Sequence, residues 1–165
     1  MGLELNQRGV LTEILDGDSF RREHTPALGY SKPERDQNVE RLARAALSMA
    51  QSGTSVLVAA IAPYEQARRQ ARDIVEAHAR FVEVYLNASI EVCVRRDPKG
   101  YYERALTGEL ARVTGISDPY EPPADPDVAV DTDALDPDES AAHVLATLEE
   151  LGLAPAARGE AGVCS

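Results

Sequence analysis

The stretch SVLVAAIAP at residues 55–63 is an almost continuous apolar run that ends at a proline. A strand that is covered on both faces of a parallel sheet has this composition, because neither face contacts water. We predict further strands at VLTEILD (residues 10–16), FVEVYLN (residues 81–87) and VAVDT (residues 128–132). Helical patterns separate these strands, so the order of elements predicts an α/β protein with a parallel sheet.

The longest predicted helix follows Ser31 and ends near Ser52, just before Gly53. Ser31 and Glu34 have the spacing of a capping box, and Pro33 falls in the first turn, where proline is tolerated. The other predicted helices span residues 64–80, 89–96, 101–107 and 136–152. Helices in these positions are the usual crossovers between parallel strands.

The chain is expected to form one domain over residues 1–154, with a disordered tail at residues 155–165. A length of 165 residues suffices to bury a hydrophobic core, and the sequence shows no internal repeat. Within the domain, residues 108–127 are rich in proline and are predicted to be irregular. A loop of this length in a compact domain is typical of a lid or a binding loop.

Composition and charge argue against several classes of function. The net charge is −11 and no basic run occurs, so nucleic-acid binding is not expected. The sequence shows neither an apolar run of membrane-spanning length nor a signal peptide at its start, so no membrane association is expected. Cys93 and Cys164 are the only cysteines and are not expected to pair, which predicts a reducing, cytoplasmic setting.

Several residues that can bear chemistry fall where predicted strands end, namely Asp16, Asp18, Ala62, Pro63 and Asn87. Ligands of parallel sheets bind beyond the carboxyl ends of the strands. In the stretch LDGDSFRREHTPALGY at residues 15–30, the two aspartates stand close to Arg21 and Arg22. This stretch is therefore either part of a functional site or a solvated Asp-Gly turn.

Arg35 is the most informative residue of the long predicted helix. At about 100° per residue, it projects with Val39, Leu42 and Ala46 on the apolar side, and Asn38 lies at the edge of that side. Arg35 and Asn38, with the free N–H groups of the helix start, are suited to hold a phosphate or sulfate group. The alternative is that Arg35 extends past the helix end into water.

Two further groups of charged residues suit phosphoryl chemistry. Asp18, three residues before Arg21, can hold Mg²⁺ through water or accept the proton of an attacking hydroxyl. Lys99 and Arg96 flank the break in RRDPKGYY, and basic residues at such a hinge can close over phosphates and exclude water. The alternative for Arg96 is a cation that stabilises the C-terminus of its own helix.

Four motifs, in this order, carry a resemblance to a known family: LDGDSFRREHTPALGYSKPERDQN, IAPY, RRDPKGYYERALTGE and TGISDPYEPP. Over roughly residues 3–152, the chain closely resembles adenylyl-sulfate kinases. These enzymes of sulfate assimilation phosphorylate the 3′-hydroxyl of adenosine 5′-phosphosulfate (APS) with MgATP. The resemblance implies a three-layer, parallel-sheet P-loop kinase-like fold, APS and ATP as small-molecule partners, Mg²⁺ with ATP as cofactor, and a homodimer as the form that the family often takes.

The resemblance also implies roles for individual residues on the acceptor side. Asp18 corresponds to the residue near the substrate 3′-hydroxyl, as a base or as a carboxylate on the magnesium side. Arg21 and Arg35 resemble the arginines that bind the phosphosulfate group, with Asn38 beside them. Tyr30 stands where the family usually has a phenylalanine that stacks on the substrate adenine, and a tyrosine ring can stack as well.

The remaining matched positions surround these residues. Ile61 and Ala62 fall on the strand end that lines the substrate, where many relatives have a serine in place of Ala62. Lys99 matches the lid lysine, and Arg96 the basic residue that faces the nucleotide. The resemblance therefore predicts a substrate pocket that is closed by the lid.

The lid sequence LARVTG departs from the family pattern, which more usually contains lysine, glycine and phenylalanine. Arg112 and Val113 consequently stand at two substrate-contacting positions. Because valine cannot supply the aromatic half of an adenine sandwich, we expect nucleobase stacking to be weaker by about 1 kcal/mol.

The phosphate-cradling motif G-x-x-x-x-G-K-[ST] is not matched anywhere in the sequence. The resemblance implies that a first, central strand between residues 55–63 and 81–87 is missing, together with this P-loop and its magnesium-binding hydroxyl. We expect a groove between two unpaired strand edges, and a misplaced start codon or a truncated gene model as its origin. A degenerate relative that keeps its fold by rearrangement or partnership is the alternative origin.

Two other functions remain open from the sequence. One is a non-catalytic module that binds APS or regulates an active kinase, since the phosphate loop is not recognised. The other is a different small-molecule nucleotide kinase, which the motifs DPKG and TGISDPYE disfavour.

Overall fold

The computed structural model describes residues 1–156 of the chain. Its elements, in chain order, are α1 (Gly2–Gln7), β1 (Thr12–Asp16), α2 (Gly17–His24), α3 (Lys32–Gln51), β2 (Ser55–Ala59), α4 (Glu65–Glu76), β3 (Val84–Asn87), α5 (Ile90–Arg96), α6 (Tyr101–Leu106), β4 (Val128–Asp131) and α7 (Pro137–Glu150). The predicted α/β class with parallel strands is confirmed. Cys164 and residues 157–165 of the predicted tail lie outside the described residues, and Cys93 is a free thiol.

Every strand and helix predicted from hydrophobic patterns is present, most with slightly shorter ends. α2 was not predicted, because the Asp-Gly pair at its start is common in turns as well as at helix N-termini. The Asp16 carboxylate accepts a hydrogen bond of 2.8 Å from the Ser19 N–H and so caps this helix. The Asp-Gly pair therefore opens a helix and is not an isolated turn.

The four strands form two separate parallel pairs. β1 pairs with β2 in a register that runs from Thr12 opposite Ser55 to Asp16 opposite Ala59. β3 pairs with β4 in the same parallel sense. β2 and β3 are not hydrogen-bonded to each other, so the sheet is interrupted where a central strand was expected to be missing.

The interruption leaves apolar side chains uncovered. Val58 on β2 is 44% exposed, Leu86 on β3 is 60% exposed, and Ile61 after β2 is 62% exposed. The prediction that residues 55–63 are covered on both faces is therefore wrong for the second half of that stretch. The physical reason is that no strand of residues 1–156 lies beside β2 on its open edge to extend the sheet.

Helix α7 joins the two sheets. Its Leu145 belongs to a buried cluster with Leu5 of α1, against which Leu57 of β2 packs. Its Val144 belongs to a second cluster with the buried face of β4, and its Leu148 packs against both clusters. The third cluster lies between α3 and α4. Of the helices in residues 1–156, none is long and apolar enough to cross a bilayer.

The start of α3 is organised by Glu34. Its carboxylate accepts hydrogen bonds from the Ser31 hydroxyl, the Gly29 N–H at 2.9 Å and the Ser31 N–H at 3.0 Å, so the predicted capping box is present. These donors, the Ser31 hydroxyl first, lower the pKa of Glu34 from 4.5 to about 2. The segment before α3 is thereby fixed by one ionised side chain.

We expect Glu34→Gln to lower the melting temperature by a few degrees at pH 7, since a neutral amide accepts these hydrogen bonds more weakly. Because the folded pKa is depressed, the stabilisation is present above pH 4.5 and is lost as the pH falls towards 2. The melting temperatures of wild type and variant should therefore converge between pH 5 and pH 2. Glu40→Gln, on the same helix, is the control, and a gap that stays constant with pH would contradict the account.

Candidate active site

The candidate site begins where β1 passes into α2. A Cβ on Gly17 would lie 3.0 Å from the Ala59 carbonyl oxygen and 3.2 Å from the Ala60 Cβ. Glycine therefore lets the first turn of α2 approach the end of β2 more closely than another residue would. The side chains that follow Gly17 are placed beside the carboxyl ends of β1 and β2.

The two aspartates of this turn have different partners. Asp16 is used as the helix cap, and the Ser19 N–H lowers its pKa. Asp18 is exposed and pairs with the Lys99 ammonium, which comes from the break between α5 and α6. The hydrogen bond from Lys99 to Asp18 raises the pKa of Lys99. Asp18 is therefore the aspartate that a ligand can reach, and Lys99 faces it.

Two guanidinium groups converge on the Tyr30 ring. The ring centroid lies 4.8 Å from Arg21 Cζ and 5.4 Å from Arg35 Cζ, while Tyr30 itself is 54% exposed. Arg21 donates to the Gly29 carbonyl at 2.6 Å, and Arg35 donates to the Tyr30 carbonyl at 3.0 Å. The structure thus brings two cations, Arg21 of α2 and Arg35 of α3, to an exposed aromatic ring in the segment between these helices.

Arg35 also contacts the long loop at residues 108–127. Its guanidinium donates to the Arg112 carbonyl and lies 3.8 Å from the Asp118 carboxylate. Its side chain is only 11% exposed, so it does not extend into water, which was the alternative in the sequence analysis. Arg35 therefore joins the Tyr30 segment to the loop that carries Arg112 and Val113.

Val113 lies at the start of a tight turn in that loop. Its N–H donates to the Ser117 hydroxyl at 2.9 Å, and its carbonyl accepts from the Asp118 N–H at 3.1 Å. Arg112, just before it, has a φ of 61°, in the left-handed region. The loop is irregular, as predicted, but its backbone is fixed by these internal hydrogen bonds.

Asn38 lies deeper than the other predicted site residues. It is 6% exposed, and its side-chain oxygen accepts a hydrogen bond of 3.0 Å from the Thr25 hydroxyl. Thr25 closes the end of α2, where its N–H donates to the Arg21 carbonyl. Asn38 thus holds the end of α2, which carries Arg21, against α3.

The remaining predicted residues lie after β2 and at the end of α5. Ile61 is exposed, and Ala62 has a φ of 39°, in the left-handed region that non-glycine residues rarely adopt. Arg96 donates to the Thr132 carbonyl at 2.6 Å, so it ties the end of α5 to the loop after β4. The guanidinium thus binds a carbonyl of another segment, and both interpretations of Arg96 stay predictions.

Within residues 1–156, no group of three His, Cys, Asp or Glu side chains is placed to hold a metal ion. Asp16 is engaged as a cap, and Asp18 is paired with Lys99.

Three residues that shape this region were not predicted from the sequence, namely Arg68, Asp118 and Glu121. Arg68 had a recognisable signal, because it shares the apolar side of α4 with Ala71 and Val75. Arg35 was recognised on the same ground. Asp118 and Glu121 lie in an irregular loop, where no periodic pattern marks a residue as important.

Comparison with protein families and curated proteins gives concordant matches. The family model "Adenylylsulphate kinase" matches residues 1–131. The adenylyl-sulfate kinase of Halothermothrix orenii is 44% identical over 149 residues, which are 90% of this chain and 79% of that protein. The "Probable bifunctional SAT/APS kinase 2" of Sorangium cellulosum is 44% identical over 155 residues, but this chain spans only 26% of its length.

Solved structures agree with this match. The Mycobacterium tuberculosis APS kinase CysC, in complex with AMPPNP and APS, superposes with a TM-score of 0.85 at 37% identity, covering 89% of this chain and 85% of that one. The hexameric APS kinase from Thiobacillus denitrificans has a TM-score of 0.65 at 32% identity, covering 89% of this chain and 24% of that one.

Proposed function

Since the chain belongs to the adenylyl-sulfate kinase family of phosphotransferases, we propose that it binds APS beside Asp18, Tyr30, Arg21 and Arg35. We propose further that the 3′-hydroxyl of bound APS receives the γ-phosphoryl group of ATP. The observation that carries this proposal is the convergence of two guanidinium groups on the exposed Tyr30 ring, next to the loop that Arg35 contacts.

The acceptor site supplies an aromatic face and positive charge. The exposed Tyr30 ring can stack on the adenine, and Ile61 offers an apolar wall. Arg21 and Arg35 can hold phosphosulfate oxygens, because a planar guanidinium binds such oxygens in pairs. The anion would displace Asp118 from Arg35, since the present separation of 3.8 Å is too long for a good hydrogen bond.

In the proposed reaction, the 3′-oxygen of APS forms a bond to the γ-phosphorus of ATP. The bond from that phosphorus to the oxygen bridging to ADP breaks, and the hydroxyl proton passes to the Asp18 carboxylate. Lys99 pairs with Asp18 in this structure. During the proposed transfer, its ammonium group would bind the phosphoryl group, on which negative charge develops. Mg²⁺ enters as part of the substrate MgATP, whose phosphates and waters supply most of its ligands.

The other predicted residues keep supporting roles in this proposal. Arg112 and Val113 bring the loop over the site, and Asn38 holds α2 in place. Ala62 forms the strand end beside Ile61, and Arg96 acts on the nucleotide side through the loop after β4. The cytoplasmic setting and the homodimer stay predictions.

A second function, a non-catalytic APS-binding module, is favoured by one sequence observation. No residues match G-x-x-x-x-G-K-[ST], so the chain has no recognised cradle for the phosphates of ATP. The described residues thus build the side of a kinase site that binds the acceptor APS more completely than the side that binds the donor ATP.

Titration calorimetry of the 165-residue chain with APS tests the acceptor site, and we expect saturable binding of one APS per chain. A second assay measures 3′-phosphoadenosine 5′-phosphosulfate formed from APS and MgATP. Binding with product supports the kinase, whereas binding without product favours the binding module. The absence of heat at millimolar APS would contradict both functions.

A further inference from the structure

Arg68 is a buried arginine that has no part in the reaction proposed above. It lies on α4, is 8% exposed, and donates a hydrogen bond from each of its three side-chain nitrogens. Its Nε donates to the Glu83 carboxylate at 2.9 Å, its Nη1 to the Ala62 carbonyl at 2.8 Å, and its Nη2 to the Glu121 carbonyl at 2.7 Å. One side chain therefore contacts the segment after β2, the residue just before β3 and the long loop.

The charge of Arg68 is compensated by a local network. A buried cation needs a carboxylate partner, and Glu83 provides it. Arg72 lies 3.6 Å from the same Glu83 and 2.6 Å from Asp127, which extends the network to the end of the long loop. Glu83 compensates the charge of Arg68 through the Nε–H alone, so the two Nη groups are available to the backbone carbonyls.

Ala62 needs an external restraint. A φ of 39° is strained for alanine, and such conformations persist only where surrounding contacts fix them. The hydrogen bond from Arg68 to the Ala62 carbonyl is a restraint of this kind. It fixes the direction of the chain immediately after Ile61, which forms one wall of the proposed APS site.

Glu121 docks the long loop on the start of α4. Its N–H donates to the Pro63 carbonyl at 2.8 Å, and its carboxylate accepts from the Glu65 N–H at 2.8 Å. Arg68 completes this contact by binding the Glu121 carbonyl. The loop is thus held at Glu121 by Arg68 and, nine residues earlier, at Arg112 by Arg35.

We propose that Arg68 is a positioning residue for substrate binding, which ties the Ala62 turn to the loop at Glu121 and so keeps the wall of the site in its binding shape. This inference rests on the proposed APS site. Arg68 does not contact the substrate in this account, and its effect passes through the two carbonyl groups that it holds.

The test compares four variants by APS titration, thermal melting and amide hydrogen exchange. Arg68→Met removes all three contacts and should weaken APS binding by at least about tenfold, because a displaced wall misplaces the ligand. Arg68→Lys keeps the charge but cannot hold both carbonyls, so its affinity should fall in between. Glu83→Gln breaks the ion pair and lowers the melting temperature, but should leave the affinity within about threefold, since both carbonyl contacts remain. Arg69→Met is the neutral control, because the side chain of Arg69 is 74% exposed.

Exchange of the Glu121 amide reports the docking of the loop independently of any ligand. It should accelerate in Arg68→Met and Arg68→Lys but not in Glu83→Gln. If affinity falls only in proportion to melting temperature across all variants, Arg68 is merely structural and the inference is wrong. If Arg68→Met fails to fold, the comparison of APS affinity between Arg68→Lys and Glu83→Gln tests the positioning role instead. If the wild type binds no APS, the proposed function fails, and unchanged Glu121 exchange in Arg68→Lys would separately refute the positioning role.

Discussion

Arg35→Met is expected to weaken APS binding about 100-fold, because it removes a charge-assisted partner of the phosphosulfate group from a largely buried position. The guanidinium lies 5.4 Å from the Tyr30 ring centre and has the Asp118 carboxylate as its anionic neighbour. Methionine keeps the stem of the side chain but not its charge. Titration calorimetry at fixed ionic strength measures the loss.

Two companion variants separate charge from loop anchoring. Arg41→Met changes an exposed arginine of the same helix and should leave APS binding unchanged. Asp118→Asn loosens the loop contact but removes a competitor for Arg35, so APS binding should become a few-fold tighter. Weaker binding in Asp118→Asn would mean that Arg35 serves to anchor the loop and does not bind the anion.

The second large effect is expected on turnover, and it concerns the part of the site that binds the phosphates of ATP. We expect a chain extended by an apolar strand and a G-x-x-x-x-G-K-[ST] loop, placed to fill the interruption between β2 and β3, to turn over at least about 1,000-fold faster than the 165-residue chain. The reason is that backbone N–H groups and the loop lysine hold the phosphates of ATP during transfer. Formation of 3′-phosphoadenosine 5′-phosphosulfate measures the gain.

The same extension with the loop lysine replaced by alanine is the matched control. Both extended chains should melt at a higher temperature and bind less of a hydrophobic dye, since the added strand covers Val58 and Leu86. Only the chain with the intact loop should gain activity. Equal turnover by the 165-residue chain and the extended chain would contradict this account of the donor side.

Local signals made much of the fold predictable. The capping box at Ser31 and Glu34 lies within four residues of sequence, and the structure contains it as predicted. The interruption between β2 and β3 was also expected, although the resulting exposure of Val58 was not. A continuous apolar run indicates that a strand can be buried on both faces, and it carries no information about whether neighbours are present to bury it.

Long-range contacts made the candidate site only partly predictable. Arg35 was recognised from its place on a helix face, but its contacts with Arg112 and Asp118 depend on a loop more than seventy residues away. Arg68 was missed although it has the same helical signal, because its partner Glu121 lies in that irregular loop. Side-chain partners of this kind become visible only when the fold brings distant segments together.

The central claim is that Arg21, Arg35 and Tyr30 form the binding site for APS. Nuclear magnetic resonance of the arginine Nε–Hε groups and of the tyrosine ring protons, followed during APS titration, tests it most directly. The account predicts saturable shifts of Arg21, Arg35 and Tyr30 with one common affinity, and no shift of the exposed Arg69. Saturable shifts confined to other residues, or no shift at millimolar APS, would contradict it.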